Sequence, residues 1–295
     1  MSILLACIAM TGCATPATSS PPLLQAGTPY VAMGSSYAAG AGIGPLQPGS
    51  PERCQRTTNN YPSLLANRFR LRLTDVSCGG ATTANLLSAS NELPAQLDAV
   101  TGSTRLVTVT IGGNDINYMG ALFGGSCRAG VVARPGPCPP PVEPDAAQYE
   151  RLEASLDAVA KEVARRSPLA QLVFVQYLTA IPETLCKATA TTPEDAANGR
   201  TISRRLAAIT ARVAAVNRAL LLPADQLSGI HTACGNEPWS HGLYEGYDMR
   251  QGTPWHPAPA GHAAIAAELA KLLAPRPMTW MCSMRHSAIR TCCEP

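Results

Sequence analysis

A serine stands where a short apolar run breaks. Tyr30 to Met33 ends at Gly34-Ser35-Ser36, so a hydroxyl falls at the end of a buried strand. A serine in that place can be a nucleophile if a histidine reaches it and takes its proton. The same residues also fit a plain strand-to-helix turn capped by Ser35 or Ser36. Two further runs end in small, polar residues. Leu71 to Val76 leads into Ser77-Cys78-Gly79-Gly80-Ala81-Thr82-Thr83, and Arg105 to Ile111 leads into Gly112-Gly113-Asn114-Asp115. Late in the chain, Trp255-His256-Pro257 brings a histidine just ahead of a closing helical segment. Taken singly, Gly80 also suits a turn, Asn114 a helix cap, and His256 a loop.

These residues need elements to hold them. Tyr30–Met33, Leu71–Val76, Arg105–Ile111 and Leu172–Val175 read as strands, the third being β-branched and bounded by Gly112-Gly113-Asn114-Asp115. Helical spacing runs over 61–69, 85–100, 146–166, 202–222 and 263–273. Segments 41–60, 120–141 and 182–198 read as loops, the second a Gly/Pro-rich insertion stapled on itself. Strands that alternate with helices predict an α/β fold, a three-layer α/β/α sandwich around a central parallel sheet. In such a sheet the three strand ends share one edge, where ligands bind.

Composition narrows the functional classes. Hydrophobic residues make up 46% of the chain and its net charge is +3, with no Lys/Arg-rich run, so nucleic acid is not an expected partner. There are eleven cysteines and no Cys-x-x-Cys, with few histidines to complete a zinc site. Order along the chain and proximity of loops favour Cys54–Cys78, Cys127–Cys138 and Cys186–Cys234, which implies an oxidising compartment. Residues 2–10 form an apolar run too short to span a bilayer. With Thr11-Gly12-Cys13-Ala14 after it, the run resembles a bacterial lipoprotein leader, in which Cys13 is lipidated and anchors the protein to a membrane; ordinary secretion is the alternative. The expected organisation is a leader and tether over 1–27, one large domain over 28–274, and a tail over 275–295 carrying Cys282, Cys292 and Cys293. No cofactor or metal is called for, and the chain reads as a secreted or envelope-bound monomer.

Serine, glycine, asparagine and histidine in this order resemble the SGNH (GDSL-type) hydrolase family over roughly Thr28 to Ala274. The resemblance implies that Ser36 is the nucleophile and His256 the base of a secreted carboxylic ester hydrolase. It makes the Ser36 and Gly80 amides and the Asn114 side chain the oxyanion donors. Two positions depart from the family pattern. Ser35 replaces the aspartate of the first block, and Thr253 stands where the aspartate that orients the histidine is usual. The resemblance leaves two ways to fill that role: the backbone carbonyl of Thr253, as in some members of the family, or Asp248 or Glu245 swinging in from the same loop. The ordinary lipase elbow Gly-x-Ser-x-Gly is absent. Trp239, Tyr244, Tyr247 and Trp255 are candidates to line an acyl pocket or a sugar platform, so esters of lipids or short acids lead and acetylated polysaccharide follows. Two rivals come from other classes. A metal-dependent phosphoesterase lacks enough ligands in the sequence. A non-catalytic binding protein on the same fold is suggested by the two replaced acids.

Overall fold

The computed structural model describes residues 23–132 and 135–275. Cys13 with most of the leader, and the tail with Cys282, Cys292 and Cys293, lie outside the described residues. Five short runs, all but the partly exposed β2 largely apolar, form one parallel sheet: β1 (Pro29–Gly34), β2 (Arg72–Asp75), β3 (Leu106–Thr110), β4 (Gln171–Val175) and β5 (Leu220–Leu222), ordered β2-β1-β3-β4-β5. Side chains alternate across a strand, and the alternation divides the core in two. Val31 and Met33 of β1, Val107 and Val109 of β3 and Phe174 of β4 enter one cluster. Tyr30, Ala32, Leu106, Val173 and Val175 enter the other.

Helices close both faces. α5 (Ala146–Arg166) and α6 (Pro193–Val216) cover the first with Leu152, Leu156, Ile202 and Leu206. α2 (Tyr61–Phe69) and α8 (Pro259–Leu273) cover the second with Leu65, Ile265 and Leu269. The result is the expected α/β/α sandwich. The helix starts are chemically set. Asn60 accepts the Ser63 N–H at 2.9 Å, Asp145 and Gln148 form a capping box, and Thr192 accepts the Asp195 N–H at 3.1 Å.

Three stretches differ from the expectation. The helix expected over 85–100 is broken into α3 (Thr83–Leu87) and a single turn over Gln96–Ala99, because Ser90 and Leu93 pair with each other across a tight turn between them. Segment 120–141 opens with α4 (Tyr118–Arg128), although glycine weakens a helix by about 1 kcal/mol per residue. Gly125 is needed there, since a Cβ would come within 2.5 Å of Thr191 Oγ1 and 2.9 Å of Asp195 Cβ at the start of α6. The helix expected over 202–222 starts earlier, at Pro193, and ends at Val216, leaving Leu220–Leu222 as β5, with the short helix α7 (Ala224–Leu227) after it. A short apolar run does not by itself distinguish the end of a buried helix from a strand.

The strand order reverses at β1. From β1 the chain crosses to β2 on one side and then to β3 on the other, which leaves a crevice outside the carboxyl ends of β1 and β3. Disulfides Cys54–Cys78, Cys127–Cys138 and Cys186–Cys234 brace the surrounding loops, the first joining the turn Glu52–Cys54 to the loop after β2.

One buried histidine couples the fold to pH. His262 of α8 is fully buried and its Nδ1 accepts the Tyr61 N–H at 3.1 Å, pinning α8 to α2. Burial pushes its pKa down to about 3. The unfolded chain therefore binds this proton below about pH 6.5 while the folded one does not, so stability falls as pH falls. The expected slope is up to about 1.4 kcal/mol per pH unit for such a group. Thermal unfolding of the wild type between about pH 6.5 and 4.5 should show this loss, and His262→Gln should flatten the slope by close to one proton. An unchanged slope would show that His262 does not carry it.

Candidate active site

The turn after β1 is forced by its neighbours. Gly34 has φ of +141°, and a Cβ there would collide with Thr110 O of β3. Gln96 grips the same residue, its Oε1 accepting the Gly34 N–H at 2.7 Å and its Nε2 donating to Gly34 O at 3.0 Å. Ser35 N–H then donates to Thr110 O at 3.0 Å, and the chain enters the short helix α1 (Ser36–Ala39). Ser35 sits at the N-cap position but its hydroxyl makes no capping bond. Ser36 Oγ lies 2.8 Å from His256 Nε2.

His256 comes from a turn anchored on several sides. Thr253 Oγ1 donates to Ala41 O at 3.0 Å, Trp255 Nε1 donates to Ser126 Oγ at 3.1 Å, and the Tyr37 hydroxyl donates to Trp255 O. The His241 N–H donates to His256 O at 2.9 Å. Trp255 has φ of +62°, so the turn is tight. This geometry corrects the role expected of Thr253. Its carbonyl accepts the backbone N–H of His256 at 3.3 Å and so closes the turn. The imidazole Nδ1 is instead 2.8 Å from the carbonyl of Pro254. A carbonyl only accepts, so Nδ1 carries the proton and Nε2 presents its lone pair to Ser36. Neither acid in the loop takes part: Asp248 pairs with Arg250 at 2.8 Å and Glu245 is exposed.

Electrostatics suit a neutral base. His256 is buried, and burial pushes its pKa down to about 4, partly opposed by the bond to Pro254 O, while the charge of His241 adds to the fall. The Tyr37 ring lies against the imidazole at 4.9 Å between centroids.

The other two expected residues stand on the neighbouring strand ends. Gly80 lies in the loop after β2 with φ of +77°, and Asn114 lies in the loop after β3. One amide hydrogen of Asn114 is held by Ala81 O at 2.9 Å, and the second is left over. Among the described residues the Ser36 and Gly80 N–H groups donate to no protein acceptor. Asp115 ties the two loops together by accepting from the Thr83 N–H and Oγ1; burial nonetheless raises its pKa.

Four contributors escape a reading of the sequence: Pro254, Tyr37, Gln96 and Tyr177. Tyr177 follows β4 at the same sheet edge. Its hydroxyl is 3.1 Å from Ser35 Oγ and accepts the Gly113 N–H at 3.1 Å, bridging the serine turn to the asparagine turn. An aromatic residue two positions past a strand that ends at this edge was the available signal. The aromatic cluster is also redistributed. Trp255 is fully buried and Trp239 stacks on His231, so neither forms an open platform. Tyr244 and Tyr247, with Phe123, Leu243 and Pro254, line an apolar groove of about 350 Å³.

A hydroxyl facing a correctly protonated imidazole at the switch point of a parallel sheet is the arrangement of a hydrolase working through a serine. Comparisons with known proteins give the class of reaction. Residues 32–264 match the GDSL-like Lipase/Acylhydrolase family, and the chain belongs to that family. It is thereby a carboxylic ester hydrolase. Among its relatives, a lipase of Streptomyces rimosus is 30% identical over 77% of this chain and 81% of that protein. Lipase 2 of Streptomyces coelicolor is 41% identical over 43% of this chain and 42% of its own length. The crystal structure of an extracellular lipase from Streptomyces rimosus superposes with a TM-score of 0.66 at 25% identity, covering 83% of this chain and 99% of that one.

Tyr177→Phe tests the bridge. It leaves the Gly113 N–H buried without an acceptor, a loss of about 1–3 kcal/mol in stability. If the hydroxyl holds the two turns in register, kcat for a small ester drops by an order of magnitude or more while KM barely moves. Loss of stability with kcat intact would reduce Tyr177 to a packing residue.

Proposed function

We propose that this chain is a serine esterase that cleaves carboxylic esters through an acyl-enzyme on Ser36, with His256 as its base and no carboxylate behind the histidine. The observation that carries this reading is the relay from Ser36 Oγ to His256 Nε2 at 2.8 Å and from Nδ1 to Pro254 O at 2.8 Å. Ser36 Oγ attacks the acyl carbon and its proton passes to Nε2. The oxyanion faces the amides of Ser36 and Gly80 and the free amide hydrogen of Asn114. A donor of this kind contributes about 3 kcal/mol to lowering the barrier. The imidazolium returns its proton to the departing alkoxide. Water, deprotonated by the same imidazole, then splits the acyl-enzyme and regenerates the Ser36 hydroxyl.

The apolar groove beside Pro254 supports esters of aliphatic acids over acetylated sugars, because Val131, Leu243 and Met249 share its lining with Tyr244 and Tyr247, while Trp255 is buried. The disulfides support a site of action outside the cytoplasm. On this reading one hydrolase domain over 28–274 works as a monomer without cofactor, either secreted freely or tethered through Cys13.

Hydrolysis of p-nitrophenyl esters of graded acyl length tests the assignment. Ser36→Ala and His256→Ala should each lose several orders of magnitude in kcat, while Thr253→Val, which removes only the hydroxyl bond to Ala41 O, should stay within about tenfold of wild type. Wild-type turnover by Ser36→Ala would place the nucleophile elsewhere. The pH profile is a second check. The base works unprotonated, and its pKa lies below the ordinary histidine value of about 6.5, so kcat/KM should persist to about pH 5.5 and fall only below it. Half-loss near pH 6.5–7 would contradict a buried, desolvated base.

A further inference from the structure

A cavity of about 400 Å³ opens beside Gly80, between the turn Glu52–Cys54, the loop after β2 and the segment around residues 90–96. Its walls are of two kinds. Val76, Leu93 and Pro94 are apolar, and Arg53 and Arg56 are cationic. The two arginines differ in what they already hold. Arg53 is exposed and paired with Glu92 at 2.6 Å. Arg56 is half-buried, and no carboxylate oxygen lies within 4.0 Å of its guanidinium among the described residues.

The donors of Arg56 are only partly used. One Nη1 hydrogen goes to Ser77 O at 3.1 Å, and the Nε–H is buried with no acceptor. Asp75 is the acid whose charge reaches Arg56. Its carboxylate is already committed to Gln47 at 2.8 Å, Asn60 at 2.7 Å and the Ser77 hydroxyl at 2.6 Å. Burial lowers the pKa of Arg56, the mark of a cation held away from water without full compensation. Arginine keeps its proton under such conditions, so an anion bound in the cavity adds the compensation that Asp75, already committed elsewhere, supplies only in part. The Cys54–Cys78 disulfide and the Gly79 N–H bond to Cys54 O at 2.9 Å fix this wall to the loop that carries Gly80.

We infer that this cavity receives a limb of the ester substrate that ends in an anionic group, a carboxylate or a phosphate, and that Arg56 recognises that group. The inference rests on the esterase reading, because Gly80 is the point at which cavity and reacting carbonyl meet. The apolar wall takes the carbon chain between the ester and the anion. Arg56 sets which esters are preferred and takes no part in the bond-breaking step.

Paired substrates test this. Mono-p-nitrophenyl adipate against p-nitrophenyl hexanoate places the anion on the acyl limb; hexanoylglycerol 3-phosphate against hexanoylglycerol places it on the alcohol limb. The wild type should prefer the anionic member of at least one pair. In Arg56→Gln the ratio of anionic to neutral kcat/KM should fall about tenfold or more, as for a hydrogen bond to a charged group. If Arg56→Gln does not fold, the wild type alone decides, since KM for the anionic ester should rise with added NaCl while KM for its neutral partner does not. A ratio that Arg56→Gln leaves unmoved in both pairs overturns the proposal. Competitive inhibition by inorganic phosphate, with no preference for either anionic ester, also overturns it and makes the cavity a site for a free anion. Failure of the esterase reading is separate: the wild type would then turn over neither neutral ester.

Discussion

The carbonyl of Pro254 decides which nitrogen of His256 carries the proton, and the chemistry of the site depends on that choice. The carbonyl accepts and never donates, so Nδ1 is the protonated nitrogen and Nε2 keeps the lone pair that the proposed base requires. In a triad a carboxylate does this and also offsets the positive charge that forms on the ring. Here a fixed dipole does the first task and, lacking a full charge, offsets less of the second. The arrangement therefore demands rigidity. The bonds that pin Thr253, Trp255 and His256 to Ala41, Ser126, Tyr37 and His241 hold the carbonyl in line with the ring.

Everything else at the edge is arranged by the sheet. Because β2, β1 and β3 are adjacent, the loops carrying Gly80, Ser36 and Asn114 leave the sheet side by side. Cross-links then fix them in register: Gln96 on Gly34, Asp115 on Thr83, and Tyr177 between Ser35 and Gly113. Ser35 in place of an acid fits this scheme. A neutral hydroxyl can share a hydrogen bond with a buried tyrosine, whereas a carboxylate at the same place would have to be desolvated beside one.

The sequence exposes some of this and hides the rest for physical reasons. Ser36, Gly80, Asn114 and His256 are legible because each follows a strand or precedes a helix with a local signature that survives without tertiary context. β1, β3 and β4 are legible for the same reason, each being a short run that is almost entirely buried and apolar. The role of Pro254 is not legible, since only the turn geometry distinguishes the carbonyl of residue 253 from that of 254. Tyr177 and Gln96 act across long sequence separations through single atoms, and no periodicity marks them. The glycines of α4 mislead because their weak helix propensity is overridden by close packing on the start of α6, and Leu220–Leu222 misleads because it lies only three residues beyond the last turn of α6.

The most direct test of the account is to locate the nucleophile chemically. After brief exposure to a fluorophosphonate, peptide mapping by mass spectrometry should find one adduct, on the peptide containing Ser36, and His256→Ala should slow its formation by orders of magnitude because no base remains to take the proton. An adduct on another residue, or labelling of Ser36 at the same rate without His256, would contradict a serine activated by a histidine that a backbone carbonyl orients.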